Sequence, residues 1–235
     1  MTTFDMIAFD ADDTLWHYER VYAQAQAKIA VLLAPYGSPE EITSYLGQAE
    51  MANLQVYGYG IKGFALSMIE ASIQLSSGNI ASQEIQILLN EIREMLSGDI
   101  QLVPRVNEVL LGLSVKYPLM IITKGDLFEQ ESKISRSGLD SHFQHMEIVS
   151  SKSPQNYTQI LRRYKLVPER FMMVGNSIRS DILPVLEIGA HAVYIPGEIT
   201  WVHEVAEAPP PEQTRFYQLE SLKELSPLLA QIKRG

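Results

Sequence analysis

Apolar residues fall along this chain in two rhythms. Short apolar runs at 6–9, 119–122, 171–174 and 192–195, and one at 146–149 interrupted only by Glu147, have the length of strands, and a polar or turn-forming residue (Asp10, Thr123, Gly175, Pro196 and Ser150) follows each of them. Such runs read as strands buried on both faces. Between them apolar residues recur at steps of three and four. Val21, Tyr22, Ala25, Ile29, Leu32 and Leu33 share one helix face, and Ile85, Leu88, Leu89, Ile92, Met95 and Leu96 share another. Ser38-Pro39-Glu40-Glu41 supplies an N-cap, a proline for the first helical turn and a capping-box glutamate. A further helix is expected over residues 63–75, after the glycine-punctuated Tyr57-Gly58-Tyr59-Gly60.

The two rhythms are segregated. Residues 17–98 carry four helical patterns in succession. After Pro104 the chain alternates, with helices expected over 106–116, 127–137, 154–164, up to Leu186 (closed by Gly189), and from Ser221 onward. Strand–helix alternation with continuously apolar strands predicts an α/β fold, a doubly wound, mainly parallel Rossmann-like sheet. The expected organisation is an α/β core of residues 1–16 and 99–235, interrupted by an all-helical domain at 17–98. Pro209-Pro210-Pro211 reads as a stiff connector within a long loop.

Composition narrows the classes. With 235 residues, 46% of them hydrophobic, the chain can bury a sizeable core. It has no cysteine, so any metal must be held by oxygen or histidine ligands. The net charge of −9 opposes a nucleic-acid groove, which needs a basic face. No apolar run reaches the ~18–20 residues of a membrane span. Met1-Thr2-Thr3 leads straight into the first strand without a basic-then-apolar leader, so a soluble cytoplasmic protein is expected.

The chemistry begins where the first strand ends. Asp10 and Asp12 stand one residue apart, with Thr14 two further on. On extended backbone, residues two apart point the same way, so both carboxylates are expected to face one site. Two such charges are costly together unless a cation or a proton intervenes. In open α/β sheets the ligand crevice lies beyond the carboxyl ends of the strands. The other strands end in matching fashion: Thr123-Lys124-Gly125-Asp126, then Ser150-Ser151-Lys152-Ser153-Pro154, then Gly175-Asn176-Ser177 followed by Asp181.

Taken in order, Asp-x-Asp-x-Thr and these three strand ends resemble the four motifs of the haloacid dehalogenase-like hydrolases, over the whole chain. The helical segment falls where that family inserts its cap, from which substrate selectivity would come. The resemblance implies a Mg²⁺-dependent phosphatase acting on a small phosphorylated metabolite. Asp10 would be the nucleophile that forms an aspartyl-phosphate, and Asp12 the general acid and then base. The pair does both jobs only if their environments separate the two pKa values, with Asp10 the more acidic. Thr123, Lys124 and Lys152 would contact substrate, with Lys152 helping to keep Asp10 ionised. Asp10, the backbone carbonyl of Asp12, Asp181 and Asn176 would hold Mg²⁺.

Other polar residues receive local readings. Asp126 is expected to cap the helix that follows, with Glu129 three residues on. Asp13 and Thr14 are expected to shape the turn, Thr14 through the loop backbone. His17 reads as structural or as a weak substrate contact, and Trp201 and His203 as packing near the site mouth. The chain departs from the family's usual pattern at three places: Asp13 where glycine is common, Lys124 where asparagine is frequent, and Asn176 where an aspartate often stands. The rival readings are a 2-haloacid dehalogenase, which needs no second acid; a phosphonate hydrolase, which needs a cap lysine (Lys28 and Lys62 by type); a phosphomutase; and a non-catalytic binding protein.

Overall fold

A computed structural model of the chain describes residues 4–199, 201, 204–210 and 212–233. Its centre is a six-stranded sheet of β1 (Met6–Phe9), β4 (Leu119–Lys124), β5 (His145–Val149), β6 (Phe171–Gly175), β7 (His191–Tyr194) and β8 (Phe216–Gln218), in the order β5-β4-β1-β6-β7-β8. Every neighbouring pair is parallel. β1 therefore lies between β4 and β6, with Phe9 opposite both Ile121 and Val174. This is the point where the strand order reverses, the place at which such sheets open a crevice.

The inner strands β1, β4, β6 and β7 form because their residues are buried on both faces, whereas the edge strands β5 and β8 are only partly buried. Met6, Ala8, Met120, Ile122, Phe171, Met173 and Ala192 join one core with Tyr157, Ile160 and Leu161 of α7 (Pro154–Arg163). Each large apolar side chain removed from water in this way contributes about 1.5–3 kcal/mol. Helices α5 (Val106–Ser114) and α6 (Leu127–Ser137), α8 (Leu183–Glu187) and α9 (Leu225–Ile232) occupy the alternating positions expected of them. Before α8 the chain makes one π-helical turn, Ile178–Ile182.

The chain divides into two compact units. The first comprises residues 1–19, 100–124 and 133–235, and holds the sheet. The second comprises residues 20–99 and 125–132. Its helices include most of α1 (Glu19–Leu32), with α2 (Pro39–Tyr57), α3 (Ile61–Leu75) and α4 (Ser82–Ser97). At the start of α2 the capping box is complete, with Glu41 N–H donating to the Ser38 hydroxyl and Ser38 N–H donating to Glu41. Residues 125–132 join this unit through polar bonds. The Ile61 N–H donates to buried Glu129 at 2.7 Å, and Lys62 donates to Asp126 at 2.8 Å. Asp126 also caps α6 by accepting from the Glu129 N–H at 3.0 Å, as its position in the sequence implies.

Two pieces of sheet lie outside the sequence expectation. Trp16–His17 (β2) pairs antiparallel with Gln101–Leu102 (β3), so His17 is a strand residue. β8 emerges from the long loop after β7 and adds the last parallel strand. Both are two or three residues long, too short to show a period. No described helix is long and apolar enough to cross a membrane.

Candidate active site

Three strand ends of the sheet unit, those of β1, β5 and β6, supply one buried polar cluster. Asp10 follows β1 directly, and its N–H donates to the Val174 carbonyl of β6 at 2.9 Å, which seats it beside that strand. Lys152 follows β5, just before Ser153, whose hydroxyl caps α7 by accepting from the Asn156 N–H. The Lys152 ammonium donates to Asp10 Oδ1 and to Asp181 Oδ1, the latter at 2.6 Å. The side chains of all three are at most 10% exposed. Asp181 stands in the π-helical turn, where its other oxygen accepts from the Ser177 N–H at 3.0 Å. A Cβ on Gly175 would lie 2.3 Å from Asp181 Oδ2, so the end of β6 admits only glycine against this carboxylate.

Thr14 closes the near side. Its hydroxyl stands 3.2 Å from both Asp10 Oδ2 and Asn176 Oδ1. Thr14 also bonds the loop backbone, as expected, its N–H donating to the Ala11 carbonyl at 3.2 Å. Thr123 is buried at the end of β4, one strand over from Asp10.

The charges do not balance. Burial pushes the Asp10 carboxyl up to about 7; Lys152 pulls it down while Asp181 and, more weakly, Asp12 push it further up. The expectation of an acidic Asp10 is therefore reversed in the protein alone, chiefly because burial outweighs the pull of Lys152, with the Asp181 charge adding to it. Burial would lower Lys152, but Asp10 and Asp181 overcome it and raise the ammonium to about 12.

Asp12 takes different partners from Asp10. Its Oδ1 accepts from the Trp16 indole at 2.7 Å, and both of its oxygens accept from the Lys133 ammonium. Lys124, expected at the substrate, donates to Ser180 at 2.9 Å and to Glu204. Burial opposes charge on Glu204, yet Lys124 and the hydroxyls of Ser177 and Ser180 hold its carboxyl below the ordinary value. Among the described residues no three histidine, aspartate or glutamate side chains converge as a metal site. His203 lies outside the described residues.

Lys133 and Glu204 escaped the sequence reading for different reasons. Lys133 had a signal: with Gln130 and Ile134 it occupies the buried stripe of α6, where an amphipathic pattern calls for apolar residues. Glu204 sits in an aperiodic loop and had none.

Asp13 explains its own departure from glycine. Its φ is +58°, the left-handed region that glycine tolerates best. The aspartate repays this strain with its carboxylate, which accepts from the Tyr18 and Glu19 N–H groups, each at 2.9 Å, at the start of α1. Burial raises this carboxyl to about 6 despite those two bonds. A folded-state pKa above the unfolded value means that stability is lost as pH rises from about 4 to about 6. Asp13→Asn, which keeps an acceptor and tolerates positive φ, is expected to gain on wild type by about 2 kcal/mol between pH 4 and pH 7.5. Urea unfolding at the two pH values measures this, and a gain on acidification instead would reject the assignment.

The sequence profile of the haloacid dehalogenase-like hydrolases matches residues 4–189. A glyceraldehyde 3-phosphate phosphatase of Pyrococcus furiosus is 26% identical over 207 residues, 83% of this chain and 81% of that one. The phosphatase of the same name from Methanothermobacter thermautotrophicus is 32% identical over 105 residues, 41% of this chain and 46% of its own. Among solved structures, a haloacid dehalogenase-like family hydrolase from Xanthomonas campestris superposes with a TM-score of 0.86 at 34% identity, covering all of both chains. A 2-haloacid dehalogenase from Pseudomonas syringae superposes at 0.66 with 21% identity, covering 98% of this chain and 100% of its own, a likeness of fold alone.

Proposed function

This chain belongs to the haloacid dehalogenase-like hydrolases, and on that premise we propose that it hydrolyses a small phosphate monoester through an aspartyl-phosphate on Asp10. The observation that carries the reading is the Lys152 ammonium shared by Asp10 and Asp181 at the switch point of the sheet. An Asp10 oxygen forms a bond to phosphorus as the ester O–P bond breaks; the leaving oxygen keeps the electron pair and takes a proton from Asp12. Water then returns a proton to Asp12 as its oxygen bonds phosphorus, and the Asp10–phosphorus bond breaks. Thr123, at the end of β4, offers a hydroxyl, and the Lys152 charge meets the incoming phosphoryl group. Lys124 anchors the Glu204 loop in this reading. Residues 17–98 would be the family's inserted cap.

The donors suit Mg²⁺. Asp10 and Asp181 keep one negative charge uncompensated beside Lys152, and the Asn176 amide oxygen shares the Thr14 hydroxyl with Asp10. Such hard oxygen donors favour this ion over softer metals. Asp10, Asp181, Asn176 and the backbone carbonyl of Asp12 would hold it, and when bound it supplies positive charge against phosphoryl oxygens.

The test is release of inorganic phosphate from p-nitrophenyl phosphate and from glyceraldehyde 3-phosphate, the compound in the relatives' names, with Mg²⁺ and with a chelator. Metal-dependent turnover of either is the expected result. Halide release from a 2-haloacid with no phosphate release from any ester would overturn the proposal in favour of the dehalogenase reading.

A further inference from the structure

Asp12 is gripped by more than the loop that carries it. Lys133 of α6 has a side chain only 1% exposed, and its ammonium donates to Asp12 Oδ1 at 2.9 Å and to Oδ2 at 2.7 Å. The same ammonium lies 3.6 Å from the centre of the Tyr18 ring, a cation–π contact. The Trp16 indole donates to Oδ1 at 2.7 Å. Three donor contacts spread over two oxygens set the plane of a carboxylate as well as its position. A lysine buried this deeply is expensive unless its charge is met, and an apolar residue would serve packing on that helix face better. The charge is met by the very residue that handles the proton in the proposed reaction.

We infer that Lys133, assisted by Trp16, is the positioning residue of the acid/base step, holding the Asp12 carboxyl in the orientation from which it protonates the leaving oxygen. The inference rests on the acid/base reading of Asp12. It differs from a plain structural ion pair in its kinetic consequence. A leaving oxygen that is a poor anion needs the proton as its bond to phosphorus breaks; a good one does not. Misplacing Asp12 therefore damages the first kind of substrate more.

The experiment compares kcat/KM, which reports the steps through ester cleavage, for phenyl phosphate and p-nitrophenyl phosphate, two esters of similar shape with unequal leaving groups. It uses the full chain with Mg²⁺, as wild type, Lys133→Met, Trp16→Phe and Asp12→Asn. In Lys133→Met the loss on phenyl phosphate should exceed that on p-nitrophenyl phosphate by at least about tenfold, within the range general acid catalysis supplies. Trp16→Phe, which keeps an aromatic ring in the core, should shift the ratio in the same direction by less, and it decides the matter should Lys133→Met fail to fold. Equal losses on both esters in the folded variants, beside a steep leaving-group dependence in Asp12→Asn, would overturn the positioning role alone. Equal losses in Asp12→Asn as well would remove the acid/base reading and the inference with it.

Discussion

Asp10→Asn is expected to lower phosphate release by a factor on the order of 10⁴ or more while leaving the folded protein at least as stable as wild type. The first half follows from removing the proposed nucleophile, since loss of such a residue leaves only the residual catalysis of binding. The second half follows from the buried charge count. Asp10 and Asp181 share one ammonium, and burial holds the Asp10 carboxyl at about 7 against an ordinary value of 3.8. A carboxyl raised in the folded state makes the wild type lose stability as pH rises through about 4 to 7. The amide escapes that loss and still offers an oxygen to Lys152. The melting temperature of Asp10→Asn at pH 8, without added metal, should therefore equal or exceed that of wild type, and the advantage should shrink on acidification. A lower melting temperature at pH 8 would mean that the Asp10 charge supports the fold, against the balance described. Sites that do chemistry commonly trade stability in this way.

Lys152→Met tests the same cluster from the other side and should be the most destabilising single change at the site. The thioether fills the space of the lysine stem but leaves Asp10 and Asp181 buried together without their shared cation. Removing one partner from a buried ion pair costs about 3–5 kcal/mol, because the remaining charge keeps its desolvation penalty. The sign of the pH dependence separates this cause from a packing defect. Without the ammonium nothing offsets the burial and the neighbouring charge that push the Asp10 carboxyl up, so the variant loses stability as pH rises and recovers as protonation of Asp10 relieves the repulsion at lower pH. Urea unfolding at pH 6 and pH 8 should show the larger deficit at pH 8, and adding Asp181→Asn should restore part of it. A deficit equal at both pH values would assign the effect to packing instead.

These predictions turn on contacts of very different legibility. The order of the strands' carboxyl ends is readable, because a buried strand is a mostly apolar run that a polar or turn-forming residue ends. The resemblance of those strand ends to the family's four motifs is what names Asp10, Thr123, Lys152 and Asp181 together, although 171 positions separate the first from the last in the chain. The parity argument for Asp10 and Asp12 was less secure. β1 stops at Phe9, the chain turns at once, and Trp16 and Lys133 draw the second carboxylate to partners of its own. Asp13 shows the same limit: only the observed φ of +58° reveals why glycine is common there, and why this chain answers with a side chain that caps α1.

What the sequence determined by itself is therefore whatever depends on short-range periodicity and local hydrogen bonds: the alternating strands and helices, the helical segment between the first strand and the rest, and the capping box at Ser38 and Glu41. Tertiary structure alone decided how charge is shared. The pairing of Lys152 with two aspartates, of Lys133 with Asp12, and of Lys124 with Glu204 joins side chains 29 to 142 residues apart. No local pattern encodes such pairs. A buried ammonium takes whichever carboxylate the fold brings within reach, and that choice is made by the packing of strands and helices rather than by the residues that flank it.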